Sequence, residues 1–250
     1  GVTLTVDSGV IVTFKNKKSI QNKGTLHVLG TPSNKVKFTS SLTNPTSGDW
    51  AYLDFADQTI DANFDSSGDY DNGTLIKNAV IEYGGGNSSN GAVTVTNSAI
   101  YLDNVTIQYS ASNGIYFSKS TGGTVSVTVI DNSTISNNSN HGIYCNCYQY
   151  NKSLTVLNST ISNNFSSGGG GVMIQASSPT LTNVLITNNT SSERGGGLWT
   201  YAGPNNFPVL TNVTITGNVT GDNGGGCYLD GPSPTFHSCD ISNNTANGSG

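Results

Sequence analysis

Charged side chains are scarce in this 250-residue chain. Lysine and arginine number 10 and aspartate and glutamate 15, so charged residues make up 10% and the formal net charge is −5. The basic residues form no stripe with interleaved aromatics, which argues against a nucleic-acid-binding protein. No hydrophobic run approaches the length needed to span a bilayer, which argues against membrane insertion of this segment.

Strong helix formers are also scarce, with one methionine and few leucine, glutamate or arginine residues. Glycine, asparagine, serine and threonine dominate, and β-branched residues abound, which favours strands. Apolar residues make up 34% of the chain and recur periodically, unlike those of a disordered chain. The composition therefore predicts a folded, all-β protein.

No signal peptide precedes the first strand-like segment, and the sequence stops halfway through a repeat. We expect a mature or trimmed form of an exported protein, at the cell surface or outside the cell. We also expect either a fragment of a longer chain or an end that docks on another body.

The dominant feature is a repeat of 25–29 residues, marked by an isoleucine with a polar residue three positions earlier. The isoleucines are Ile81, Ile107, Ile135, Ile161, Ile186, Ile215 and Ile241, and the polar residues are Asn78, Asn104, Asn132, Asn158, Asn183, Asn212 and Ser238. A fixed period of this length indicates a stack of like units that lean on their neighbours.

Each repeat reads as three short strands and three turns. In the clearest copy, alternation from Val213 to Ile215 suits a strand with one buried face. Asn212 marks a corner that needs left-handed backbone, and a glycine run marks a second corner. Parallel stacking predicts a β-solenoid of about nine coils, with the corner asparagines stacked in a hydrogen-bonded ladder. A second polar column follows the isoleucines, at Asn137-Asn138, Asn163-Asn164, Asn188-Asn189 and Asn243-Asn244.

Residues 1–250 are predicted to form a single β-helix domain. Residues 1–56 form the N-terminal coils, which are irregular because a terminal coil must shield the open core. Residues 57–74 form a polar insertion, and residues 75–250 form the regular repeats.

Three segments carry a family resemblance: Val2–Phe14, Gly48–Phe55 and Val80–Gly86. They resemble coils of right-handed parallel β-helices of the pectin-lyase-like superfamily. The later Ile-x-Asn-Asn…Gly-Gly-Gly pattern is similar to repeats in bacterial and archaeal surface proteins, including polymorphic outer-membrane proteins. The resemblance covers essentially the whole chain. It implies the fold and leaves the function open, since the superfamily contains polysaccharide lyases and hydrolases, adhesins and structural fibres.

An enzyme of this superfamily needs converging acids, or a base with clustered acids. The implied hydrolase motifs (Asn-Thr-Asp, Asp-Asp, Gly-His-Gly and Arg-Ile-Lys) are absent. His141 lies in a corner that is shared with other repeats, so we interpret it as a surface turn residue. Arg194, with Glu193 and Trp199, is the best lyase-like cluster, although an exposed ion pair beside an aromatic is the simpler interpretation.

The insertion concentrates oxygen ligands at Asp61, Asp65, Asp69 and Asp71. Clustered carboxylates near glycine suit a hard cation, so we consider a Ca²⁺ site there, with a polar turn as the alternative. Among the four cysteines, Cys145 and Cys147 share one face of a strand and would form a strained bridge. Cys227 and Cys239 lie on different strands, where we predict either a disulfide or two small buried residues.

Glycosylation acceptors and aromatic loops provide further candidates. Corner asparagines engaged in the ladder should be poor acceptors, whereas the loop acceptors are Asn72, Asn87, Asn151 and Asn247. Aromatics that could stack on sugar rings are Tyr148, Tyr150, Trp199 and Tyr201, with packing on the solenoid wall as the alternative.

The sequence favours a non-catalytic structural or adhesive β-helix, a rigid element of a surface protein or fibre. An open coil could add strands of a second copy end to end and so build a filament. The rival function is a carbohydrate-active enzyme (lyase or hydrolase) or a carbohydrate-binding module, which a groove lined by two or more acids would favour. A third function, ice binding, would need an unbroken array of threonines, and the column of Thr106, Thr134, Thr160 and Thr214 is broken at Val80, Leu185 and Asp240.

Overall fold

The computed structural model describes residues 1–87, 90–119, 126–201, 207–231 and 234–248, and the side chains of residues 148–153 lie outside this description. Its strands, in chain order, are β1 Thr3–Asp7, β2 Ile11–Phe14, β3 Ile20–Asn22, β4 Thr25–Leu29, β5 Val36–Ser40, β6 Leu53–Phe55, β7 Asn63–Phe64, β8 Tyr70–Asn72, β9 Leu75–Glu82, β10 Gly91–Thr96, β11 Tyr101–Gln108, β12 Asn113–Ser118, β13 Thr128–Asp131, β14 Thr134–Ser136, β15 Ile143–Leu157, β16 Thr160–Ser162, β17 Phe165–Gly168, β18 Val172–Thr182, β19 Leu185–Thr187, β20 Thr190–Arg194, β21 Leu198–Tyr201, β22 Val209–Thr211, β23 Thr214–Thr216, β24 Val219–Thr220, β25 Cys227–Asp230, β26 Thr235–His237, β27 Asp240–Ser242 and β28 Thr245–Ala246. Nowhere in these ranges is there a helix long and apolar enough to cross a membrane.

The strands wind into nine coils, and equivalent strands of successive coils pair in parallel on three faces. Face 1 holds β1, β4, β13, β22 and β26, with parts of β9, β11, β15 and β18. Face 2 holds β2, β5, β14, β16, β19, β23 and β27, with the second halves of β9 and β11. Face 3 holds β3, β6, β10, β12, β21 and β25, with the first parts of β15 and β18. The predicted all-β parallel β-helix of about nine coils is confirmed.

The repeated isoleucines form the inward column of face 2. Phe38 pairs with Ile81, and the register continues through the later isoleucines to Ile241. From Phe38 to Ile215 each member is fully buried, whereas Ile241 in the last coil is 48% exposed. Full burial of one such side chain contributes roughly 2 kcal/mol, so the contribution of the column grows with the number of coils.

The later coils are more elaborate than three strands each. Strands β17, β20, β24 and β28 form a separate four-stranded parallel sheet between faces 2 and 3. Within residues 57–74, β7 and β8 form a small antiparallel hairpin between the second and third coils.

Asparagines at the corner before face 2 do not form the continuous ladder that was predicted. All six have left-handed backbone, with φ between 46° and 55°. Asn104 donates to Asn78 at 2.6 Å, Asn183 to Asn158 at 2.9 Å, and Asn212 to Asn183 at 3.3 Å. Two rungs are replaced, because Asn132 donates to Asp103 at 3.3 Å and Asn158 donates to Asp131 at 2.8 Å. A carboxylate is the stronger acceptor, and it lies one residue before the corner in these coils.

The uninterrupted ladder lies instead at the corner after face 2. Its Nδ2-to-Oδ1 distances are 2.8 Å from Asn138 to Asn164, 2.9 Å from Asn164 to Asn189, 3.0 Å from Asn189 to Asn218 and 2.9 Å from Asn218 to Asn244. The first four members are at most 2% exposed. Each Oδ1 from Asn164 onwards also accepts the backbone N–H of the preceding member, so these amides satisfy the buried backbone of the corner.

Candidate functional site

A line of large side chains follows the outside of face 3. In register from coil to coil, the outward positions are Tyr116, Tyr144, Met173, Trp199 and Tyr228. Parallel pairing stacks such side chains at the strand spacing of roughly 4.8 Å. The strands are held in place by the buried neighbours of these residues, such as Ile143 and Leu198. Face 3 therefore carries a stripe of four aromatic rings along the axis of the solenoid, interrupted by Met173, which is 7% exposed.

The stripe ends in a cluster that we call the aromatic platform, made of Trp199, Tyr201, Tyr228 and Arg194. Trp199 packs edge-on against Tyr201 and Tyr228, with ring centroids 5.6 Å and 6.1 Å apart. The Arg194 guanidinium carbon lies 5.0 Å from the centre of the Tyr228 ring, a cation–π contact. Tyr201 is 39% exposed, so the platform presents aromatic surface together with one positive charge.

Trp199 occupies its position because the neighbouring coil has no side chain there. A Cβ atom at Gly168 would lie 2.3 Å from Cζ3 of Trp199, so only glycine lets the indole lie across that corner. The Trp199 Nε1 atom is buried and has no hydrogen-bond partner among the described residues. The platform thus contains an indole donor that the protein leaves unsatisfied.

His141 is a buried member of the same face, which corrects its interpretation as a surface turn residue. It is 8% exposed, its Nδ1 lies 2.8 Å from the Gly169 carbonyl oxygen, and its ring lies 5.3 Å from that of Tyr144. Burial lowers the pKa of His141 to about 4, against the opposing effect of the bond to Gly169. His141 is therefore neutral at pH 7 and donates to Gly169, while the Tyr144 hydroxyl donates to Gln175.

The opposite end of face 3 carries a groove that the sequence interpretation missed. It has a volume of about 350 Å³ and is lined by Gln21, Asn22, Lys23, Asp54, Ala56, Asp57 and Gln58. Asp54 is partly buried, and burial raises the pKa of its carboxyl above the ordinary value. The groove thus places two carboxylates and one ammonium together. No motif marks these residues, because the register between the first two coils brings them to one place.

The predicted Ca²⁺ site is not assembled in the structure. Within the described ranges no three acidic, histidine or cysteine side chains form a metal-binding group. The carboxylates accept hydrogen bonds from the protein instead. Asp61 accepts from Ser98 and Ala99 of the following coil, both at 2.9 Å, and Asp65 accepts from two backbone N–H groups of its own turn. Asp71 accepts from Asn72 at 2.8 Å, and Asp69 lies in the same hairpin. The polar-turn alternative describes this segment.

The predicted disulfide is also absent, since Cys227 and Cys239 both carry free thiols. Cys227 continues the inward column of Leu198, and Cys239 Sγ lies 3.4 Å from the Leu210 carbonyl oxygen. Burial, together with the nearby Cys239, raises the pKa of Cys227 to about 12 and keeps its thiol protonated. The alternative, two small residues at apolar positions, is what the structure has.

The remaining predicted residues are divided among several places. Trp199 and Tyr201 meet in the platform, whereas the side chains of Tyr148, Tyr150 and Asn151 lie outside the described residues. Glu193 and Arg194 form no ion pair: the pairs found among the described residues are Lys37–Glu82 at 2.7 Å and Lys77–Asp103 at 3.0 Å. The acceptors Asn72, Asn87 and Asn247 are exposed, and their glycosylation stays a prediction.

Comparisons with known proteins bear on the fold. The family model described as "Right handed beta helix region" matches residues 1–212 and 150–249. No curated protein matches the chain. Among solved structures, the Azotobacter vinelandii mannuronan C-5 epimerase AlgE6 A-module is similar at 14% identity and a TM-score of 0.39, over 99% of this chain and 80% of that one. The Agl-KA catalytic domain is similar at 14% identity and a TM-score of 0.41, over 98% of this chain and 62% of that one. At these values the two likenesses carry no argument about activity.

Proposed function

The chain belongs to the right-handed β-helix family, and we propose that it is an extracellular, non-catalytic adhesive module that binds an extended glycan along face 3. The aromatic platform is the observation that carries this proposal. Flat rings with a few polar groups are the usual composition of a site for small organic ligands, and sugar rings present apolar C–H faces to them. The Arg194 guanidinium beside Tyr228 supplies a donor for sugar oxygens.

The scaffold supports an adhesive role because it is stiff. The buried ladder from Asn138 to Asn244 joins five successive coils with side-chain hydrogen bonds in addition to the parallel strand pairing. A rod of this kind holds the stripe residues at fixed spacing, so a glycan loses little binding energy to ordering of the protein.

A matched pair of variants tests the proposal. Tyr201 and Tyr109 are similarly exposed, at 39% and 37%, but Tyr109 stacks on Tyr83 at another corner. We expect Tyr201→Ala and Trp199→Ala to weaken binding of neutral soluble polysaccharides in affinity electrophoresis by about tenfold or more. Tyr109→Ala should leave the mobility shift unchanged. The proposal would be refuted if Tyr109→Ala weakened binding as much as Tyr201→Ala does. It would also be refuted if no polysaccharide retarded the native protein.

The groove at Asp54 and Asp57 favours a second candidate, a carbohydrate-active enzyme. Two neighbouring carboxyl groups, one of them with its pKa raised by burial, are the residue types used for general acid–base cleavage of glycosidic bonds. Incubation with a polysaccharide panel and detection of new reducing ends tests it. Activity that is lost in Asp54→Asn would replace the adhesive proposal.

End-to-end association remains a separate proposal. The first coil exposes apolar side chains at Val2 (83%), Leu4 (51%) and Ile11 (62%), and β1 and β2 each pair with the second coil only. Such edges can accept strands of another copy. Electron microscopy of the purified protein should then show filaments that Ile11→Lys abolishes. Dispersed particles at all concentrations would contradict it.

A further inference from the structure

We propose that the groove between Lys23 and Asp54 binds the protonated amine of an amino sugar, so that the glycan recognised along face 3 contains glucosamine-type units. This inference rests on the proposed glycan-binding function and names the class of saccharide.

The groove has the size and form of a ligand site. Its cavity of about 350 Å³ adjoins a second one of the same volume, and Gln21, Asn22 and Lys23 line both. The second cavity adds apolar walls from Val2, Leu4, Ile20 and Leu26. Together they form a trough across the first two coils, large enough for small organic groups.

The charged side chains of the groove are not paired with one another. Among the described residues the ion pairs are Lys37–Glu82 and Lys77–Asp103, so neither Asp54 nor Asp57 is paired with Lys23. Asp54 is partly buried, and no protein hydrogen bond to its carboxylate occurs in the described structure. A partly desolvated carboxylate without a partner favours a cation from the ligand.

The neighbouring amides complete the site. Asn22 is fixed by the bond from its Nδ2 to the Gly24 carbonyl oxygen at 2.9 Å, which holds the floor of the groove in place. The side chains of Gln21 and Gln58 are exposed beside it. They supply donors and acceptors for hydroxyl groups, while the two carboxylates outnumber the single ammonium of Lys23.

Register connects the groove to the aromatic platform. Asp54 pairs with Thr94, and the same outward line continues through Tyr116, Tyr144 and Met173 to Trp199. Five strand spacings of roughly 4.8 Å separate Asp54 from Trp199, or about 24 Å. One oligosaccharide chain lying along the axis can therefore touch both places, with its amine at the acidic end and its ring faces at the aromatic end.

Calorimetric titration with a glucosamine hexamer and with its fully N-acetylated counterpart tests this. The native protein should bind the amine form at least tenfold more tightly at pH 6. Asp54→Asn should remove this preference, and so should Asp54→Ser, whereas Asp230→Asn, which removes a like charge at the far end of the same face, should preserve it. Thermal unfolding of each variant establishes that it is folded.

The outcomes separate the two proposals. Trp199→Ala should weaken both hexamers equally, because the platform serves either sugar. If the native protein binds both hexamers equally, or if folded Asp54→Asn keeps the preference, the amino-sugar site is overturned while the platform stands. If Trp199→Ala changes neither affinity but Asp54→Asn does, the platform fails and the groove acts alone. Failure of the native protein to bind the glucosamine hexamer overturns the inference.

Discussion

The first three coils and the last five are stabilised in different ways. In the N-terminal coils, Trp50 stacks on Phe14 with ring centroids 4.2 Å apart and donates from Nε1 to the Glu82 carbonyl oxygen at 2.8 Å. The Lys37–Glu82 ion pair lies in the same region, with the Glu82 side chain buried and Lys37 half-buried. In the later coils, isoleucines stack inside the solenoid. The asparagine ladder at the corner after face 2, which includes Asn189, satisfies the buried backbone hydrogen bonds of each corner.

The difference shows how a repeat can be built by two strategies. Each of these N-terminal contacts occurs in one coil only, so it depends on large side chains that fill a particular space. The later contacts are equivalent from coil to coil, so each contributes a modest amount and the sum grows with the number of coils. We therefore expect single substitutions to act through cavities in the first region and through unsatisfied polar groups in the second.

The largest effect is expected for Trp50→Ala. Trp50 is fully buried, and truncating it removes the stack on Phe14 and leaves a cavity, which costs about 3–5 kcal/mol. Urea unfolding measures the loss, and hydrogen exchange shows where it acts. We expect lost protection in the N-terminal coils with protection of the Ile186 region retained; uniform loss throughout the solenoid would erase the distinction between the two regions.

A somewhat smaller effect is expected for Asn189→Ala. This change removes the bonds to Asn218 and to the Ile161 carbonyl oxygen and leaves the Asn164 amide without its acceptor. Buried groups left unsatisfied cost about 3 kcal/mol in sum, measurable as a lower urea midpoint. The adjacent Asn188→Gly is the control, since Asn188 is exposed and the next coil has Gly217 at the end of its face 2 strand. Equal losses from both variants would mean that the ladder is not the stabilising element.

Glu82→Gln should show a pH-dependent loss of about 1–2 kcal/mol at neutral pH. Burial alone would raise the pKa of Glu82, but hydrogen bonds from Lys37, Gln108 and Thr39 outweigh it and hold the pKa below the ordinary value. A depressed pKa stabilises the folded state above the unfolded value, and this stability is lost as pH falls through the folded value. Melting temperatures of native and variant protein should therefore converge in acid; a gap that is constant with pH would exclude this explanation.

The smallest effect is expected for Asn183→Gly at the corner before face 2. Asn183 is exposed, and glycine adopts its φ of 55° without strain, so the change should be within about 0.5 kcal/mol. A midpoint shift as large as that of Asn189→Ala would give the two asparagine columns equal weight, contrary to their difference in burial.

The candidate site was partly predictable. Arg194 stood out in the sequence because basic residues are few in the later repeats, and Trp199 and Tyr201 follow it closely. Their partner Tyr228 comes from the next coil, and the groove at Asp54 joins residues from the first two coils. Local patterns carry no information about which outward positions share a line, because loop lengths between repeats vary.

The sequence by itself determined the parallel β-helix, its number of coils, its inward isoleucines and its asparagine corners, since these follow from period and side-chain preference. Only the tertiary structure decided which asparagine column is continuous. Asp103 and Asp131 compete for the exposed corner, whereas the buried corner around Asn189 contains no such acceptor. The tertiary structure also decided that His141 is buried, that Asp61 of the insertion accepts hydrogen bonds from Ser98 and Ala99 of the following coil, and that Cys227 keeps its thiol. Each of these depends on what the neighbouring coil places opposite a side chain, and a repeat period does not specify that.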